Sequence, residues 1–131
     1  MKSIYDAIKF LVSLVPSILT TSTNGDAVDT QGFGSAVLTV SVGDLDTSDG
    51  DETYVFSVEE SDDGLTGWTP ITDASVDVTE DNEVKLIRLE GLNTGSRKRY
   101  LRAVVTVGGT TPSAPCSAVF ALGRAYNEPV N

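Results

Sequence analysis

Two hydrophobic spacings follow one another along the chain. In the first fifteen residues, Ile4, Ile8, Leu11, Val12 and Val15 recur at intervals of three and four, while Asp6, Lys9 and Ser13 fall elsewhere. That period places the five apolar residues on one face of a helix. Ser3 stands where an N-cap is wanted, with Asp6 three residues on to form a capping box, and Pro16 ends the run because the residue before a proline disfavours the helical region. The spacing therefore predicts an amphipathic helix over residues 3–15, in an N-terminal arm spanning residues 1–19. A helix this short is marginal alone in water, so it must dock, either on its own domain or on a partner. If it docks on a partner, removal of residues 1–19 leaves the rest folded. The opening also imitates a secretory leader. However, Asp6 and Lys9 interrupt it, Pro16 breaks it, and no small-x-small cleavage site follows. Its clean apolar stretch, Phe10–Val15, is far short of the ~20 residues that span a bilayer.

From Thr20 onward the period drops to two. Leu38, Val40 and Val42 alternate with Thr39 and Ser41; Tyr54, Phe56 and Val58 with Val55, Ser57 and Glu59; Val76 and Val78 flank Asp77. Leu101, Ala103, Val105 and Val107 alternate with Arg102, Val104 and Thr106, and Cys116, Ala118, Phe120 and Leu122 with Ser117, Val119 and Ala121. Each run has the length of a strand. The segment Glu83–Glu90 is apolar on both sides, Ile87 and Leu89 opposing Val84 and Leu86, and reads as a strand covered on both faces. Asp49-Gly50, Asp63-Gly64, Asn93 to Gly95 and Gly108-Gly109 separate the runs with residues that tolerate positive φ. The expectation is a mainly β chain: one antiparallel β-sandwich, jelly-roll or immunoglobulin-like, of seven or eight strands over residues 20–123, with an N-terminal amphipathic helix and an extended C-terminal tail at residues 124–131.

Composition narrows the function. The 131 residues suit a single domain. Nineteen acidic residues against nine basic give a formal net charge of -10, which argues against nucleic acid or an anionic membrane as partner. No histidine is present, so the commonest general base and most zinc and copper sites are missing, and a lone cysteine forbids an internal disulfide. Cys116, on the apolar side of its strand, reads as a buried small hydrophobe. These features point to a binding or structural module rather than an enzyme, needing no metal or cofactor.

Three clusters are candidate chemistry. The acidic loop Asp44–Glu52 offers oxygen ligands for calcium, but it has Asp49 where a helix–loop–helix site needs glycine, and strands flank it; a solvated connection is the simpler reading. The run Glu59-Glu60-Ser61-Asp62-Asp63-Gly64 cannot set two carboxyls across a sugar, and reads as a turn with Ser61 or Asp62 bonding its own backbone. The basic cluster around Arg97, Arg99 and Arg102 either meets an acidic partner or pairs with the chain's own carboxylates. A carbohydrate-binding surface would need an aromatic platform, for which Trp68 and Tyr54 are the candidates.

The order of motifs resembles that of small tailed-phage virion structural proteins of the capsid decoration or cement type. The residues carrying the likeness are Val28-Asp-Thr-Gln-Gly-Phe-Gly-Ser-Ala36, Ser61-Asp-Asp-Gly64 with Trp68, Arg99-Tyr-Leu-Arg102, Ala121-Leu-Gly123 and Pro129-Val130, within residues 20–131. The resemblance implies a non-enzymatic protein made in the host cytoplasm that docks on the phage head and stabilises it. Its partners would be the major capsid protein or other virion subunits, and it would form a homo-oligomer, with no nucleic acid and no membrane. The expected contact residues are Ile4, Ile8, Leu11, Val12 and Val15, with Arg97, Arg99 and Arg102. A neck, tail or fibre β-sandwich that binds another virion protein, a receptor or a carbohydrate is the alternative.

Overall fold

Strands dominate wherever the alternation is clean. The structure, a computed structural model, describes residues 3–131. One helical turn, α1 (Ile4–Ala7), is followed by β1 (Lys9–Leu19), β2 (Thr23–Asn24), β3 (Val28–Asp29), β4 (Phe33–Val42), β5 (Thr53–Ser61), β6 (Thr69–Asp77), β7 (Val84–Glu90), β8 (Tyr100–Gly108) and β9 (Ala114–Ala125). They form two antiparallel sheets packed as a sandwich. Sheet A has four strands in the order β1-β9-β4-β7. Sheet B has five: the path β2-β8-β5-β6, with β3 also pairing β8.

The inner faces follow the alternation. Leu38, Val40, Ala118, Phe120 and Leu122 from sheet A meet Phe56, Val58, Leu101, Ala103 and Val105 from sheet B, all fully buried. Each large side chain removed from water in this way contributes roughly 1.5–3 kcal/mol. Val76, expected to face inward, is only partly buried; Ile71, Ala74 and Val78 supply that stretch of the core. The expected turn residues Gly50, Gly64, Asn93, Gly95 and Gly109 all adopt positive φ.

The N-terminal segment departs from expectation. The helix stops after one turn and residues 9–19 are a strand, so there is no helical arm over 3–15. The cap itself is where the sequence placed it: Ser3 Oγ accepts from the Asp6 amide at 3.3 Å. Beyond Ile8, tertiary pairing overrides the helical spacing, because β9 presents a free flank and Leu11, Val12 and Leu14 pair with Phe120, Val119 and Ala118. A β-bulge between Val12 and Leu14 turns both Ser13 and Leu14 inward. That extra residue is what made a period-two segment look like a period of three or four.

Ser13 also stitches the two sheets together. Its hydroxyl donates to the Asp26 carbonyl at 2.7 Å and accepts from the Ala103 amide of β8 at 2.9 Å. Gly25 passes so close that a Cβ there would lie 2.5 Å from Ser13 Oγ and 2.8 Å from the Ala103 carbonyl oxygen. Residues 3–19 are therefore not an arm set apart from the sandwich. The C-terminal residues are not a free tail either: β9 runs through Ala125, the Val130 amide donates to the Asp6 carbonyl, and the Asn131 side chain donates to the carbonyls of Tyr5 and Ile8.

Candidate interaction surface

The two outer faces differ in chemistry. Across sheet A, one register row reads Phe10, Ala121, Val37, Arg88, and the next Val12, Val119, Thr39, Leu86. A third joins Ser117, Ser41 and Val84, and beyond it Ile18 pairs with Pro115. Arg88 is the only charge in these rows; Glu90, in the neighbouring Ser35 row of the same face, accepts from it at 3.2 Å. The large side chains stand on the two flanking strands: Phe10 is 61% exposed, Val12 45%, Val15 57% and Ile18 68% on β1, with Val84 60% and Leu86 63% on β7. The central strands carry smaller residues, so the face is a shallow trough between two apolar rims. At one end a groove opens between Pro16, Ile18, Ser41, Gly43, Pro115 and Ser117. The expectation that Glu83–Glu90 is covered on both faces is thus corrected: Ile87 and Leu89 are buried, while Val84 and Leu86 face outward with nothing among the described residues over them.

Sheet B is polar outside. Its rows read Asp77, Val55, Thr106; then Ser75, Ser57, Val104; then Glu59 with Arg102. The basic cluster lies at this end, and each arginine has a carboxylate of the same chain. Arg102 donates twice to Glu59 Oε1, at 2.9 and 2.6 Å, and its guanidinium lies 4.4 Å from the centre of the Trp68 ring. Arg99 makes a forked pair with Asp29 at 2.8 and 2.7 Å, a geometry that holds the Asp29 carboxyl below its ordinary range and raises the guanidinium. Arg97 reaches Glu60 at 3.4 Å. Tyr100 and Arg102 share the outer face, as the alternation requires, with buried Leu101 between them. Gly64 lies against the Tyr100 ring, where a Cβ would come within 2.8 Å.

The other predicted features fall away from both faces. Of the five apolar residues grouped as a helix face, Ile4, Val12 and Val15 are exposed, whereas Ile8 is half-buried and Leu11 packs against the core. They share no single surface, because a strand sends alternate side chains to opposite sides. Tyr54 is buried, donating to the Asp46 carbonyl and accepting from the Ser113 amide, so it is no platform for a sugar, and one face of Trp68 carries Arg102. In the acidic loop, Asp46 accepts from Ser48 and Asp51 from Thr110, bonds that lower both carboxyls. Asp44 takes the Asn82 amide. Among the described residues no group of three or more His, Cys, Asp or Glu side chains is arranged to hold a metal ion. In the Glu59–Gly64 run the buried Ser61 accepts from the amides of Asp63 and Gly64, while Asp63 caps those of Leu65 and Thr66, which pushes its carboxyl far below normal. Of the two residues expected to bond the backbone here, Ser61 does so, and Asp63 rather than Asp62 adds the second set of bonds. Burial raises the Cys116 thiol. No helix among the described residues is long and apolar enough to cross a membrane.

The surface that sequence reasoning missed is the outer face of sheet A, with Phe10, Ile18, Val37, Val84, Leu86 and Val119. Its signal was present in strands apolar on both sides. No protein-family model and no curated protein matches the chain.

Proposed function

We propose that this chain is a non-enzymatic structural protein of a phage virion, which docks on the head lattice and stabilises it by burying apolar surface between subunits. The observation that supports this reading is the uncovered, nearly charge-free outer face of sheet A on a chain whose formal net charge is -10. Contiguous exposed apolar patches of this size mark interaction sites. A role in assembly asks for such a surface and for no chemistry. The motif order supplies the virion setting. The arginines contribute less to docking than the sequence implied, since Arg97, Arg99 and Arg102 already have intrachain carboxylates.

The test is the number of copies per purified virion, by quantitative mass spectrometry. A symmetric head lattice repeats its sites on the order of hundreds of times. Hundreds of copies support head decoration, about a dozen or fewer move the protein to a neck or tail, and none overturns the virion reading. A second arm grows virions with Leu86→Asp in place of the wild type. Docking through sheet A predicts loss of the chain from the particles.

A further inference from the structure

We propose that the outer face of sheet A is covered by a second copy of this chain, two sandwiches packing face to face about a two-fold axis, so that the unit delivered to the lattice is a dimer. This rests on reading that face as one that subunits bury; with a second copy on it, the dimer meets the lattice through its remaining surfaces.

Three observations select a second copy. The first is area: the six exposed residues Phe10, Val12, Val15, Ile18, Val84 and Leu86 present on the order of 600 Å², the top of the range for patches left on monomers and most of the ~800 Å² per partner of a standard interface. The second is charge. Copies carrying -10 each repel, and this face sets few carboxylates against each other: its rows hold Arg88 and, at the Ser35 end, Glu90, which Arg88 pairs at 3.2 Å. Sheet B offers less to bury: Glu59, Glu60 and Asp29 are already held by Arg102, Arg97 and Arg99, and its outer rows are largely polar.

The third is shape. Phe10 projects at one end of β1, and the groove between Pro16, Ile18 and Pro115 opens at the other end of the same strand. A two-fold axis crossing the strands sets the Phe10 end of one copy against the groove end of its partner, and the partner's Phe10 against the first groove. One knob and one groove are each used twice, as an isologous contact requires. Facing sheets separated by about 10 Å interdigitate in this way inside sandwiches.

The test is sedimentation equilibrium of the full chain from ~1 to ~100 μM, a range that brackets micromolar association. The mass should climb from one protomer to two. Phe10→Asp and Leu86→Asp should each weaken pairing roughly a hundredfold or more, as for large apolar anchors buried at an interface. Both positions are exposed in the protomer, so circular dichroism and thermal melts of the variants should match wild type in dilute protein. Raising NaCl from ~0.05 to ~0.5 M should tighten pairing, because screening relieves repulsion between the like-charged bodies. A chain that stays monomeric throughout, a mass of three or more protomers, or a dimer indifferent to both variants overturns the proposal. Monomeric protein that Leu86→Asp nevertheless strips from virions means a capsid subunit covers the face: this proposal falls and the docking reading stands. If the chain is monomeric and Leu86→Asp leaves virion occupancy unchanged, both fall.

Discussion

The outer faces of sheets A and B are built on the same strand alternation and have opposite fates. Sheet B closes its chemistry internally: Glu59 faces Arg102 across adjacent strands, Asp29 grips Arg99, and Trp68 takes up a guanidinium. Sheet A leaves Phe10, Ile18, Val84 and Leu86 in water. Under the docking proposed above, charge density on a sequence does not locate the docking surface. The dense arginine cluster is self-satisfied, whereas the surface with unspent free energy is the one with almost no charge.

Removing residues 1–19 should abolish this comparison, since it takes away a rim of sheet A together with Ser13 and the buried Leu14. The truncated chain should show no cooperative urea transition by circular dichroism, contrary to what a dispensable arm predicts. Gly25→Ala comes next: the added methyl meets Ser13 and two backbone carbonyls at the seam, and should cost about 1–3 kcal/mol in urea denaturation with the shape of the transition kept. Arg102→Ala probes sheet B. It removes a partly buried pair and the Trp68 stack, a loss of about 1 kcal/mol, and a double-mutant cycle with Glu59→Ala should show the two positions coupled. On the proposed docking through sheet A, virion occupancy of Arg102→Ala should stay near wild type.

Acid separates the faces further. The Asp29 and Asp63 carboxyls are lowered in the fold relative to an unfolded value of about 3.9. Stabilisation from a lowered carboxyl is fully present above the unfolded value and is lost as pH falls through the folded one. The melting temperature should therefore decline below about pH 4, and Asp63→Asn, lower at pH 7, should converge on wild type in acid. The smallest effect on protomer stability is expected for Leu86→Asp in dilute protein, within ~0.5 kcal/mol of wild type, as for most surface substitutions.

The sandwich was legible because its inner positions obey a period of two and its turns carry residues suited to positive φ. Phe56, Val58, Phe120 and Leu122 could be assigned to the core by spacing alone. Residues 9–19 were not, because the bulge at Ser13 puts two consecutive side chains inward and breaks the alternation. Leu11, Val12 and Val15 then mimic a helical stripe, and only the available flank of β9, a hundred or so residues away, decides for a strand. The arginines were visible as a cluster, but Asp29, Glu59 and Glu60 lie far from them in the chain, and register alone brings Glu59 to Arg102. The sheet A face stayed hidden for a related reason: its members come from four strands, each contributing a few apolar residues.

The placement of β9 between β1 and β4 also governs when the protein can fold. Sheet A has no continuous path until its last long strand is in place, since β1 and β4 do not pair with each other and Leu11 must wait for Phe120. On a ribosome adding about 5–20 residues per second, the nascent chain spends seconds with the flank of β4 unpaired and the apolar residues of β1 without a neighbour. Contacts this distant in sequence make for slow closure after release, on the millisecond-to-second scale of other all-β domains. A chain cut short before Ala114 lacks the strand that joins the two halves of sheet A, and it presents open strand edges on which copies aggregate.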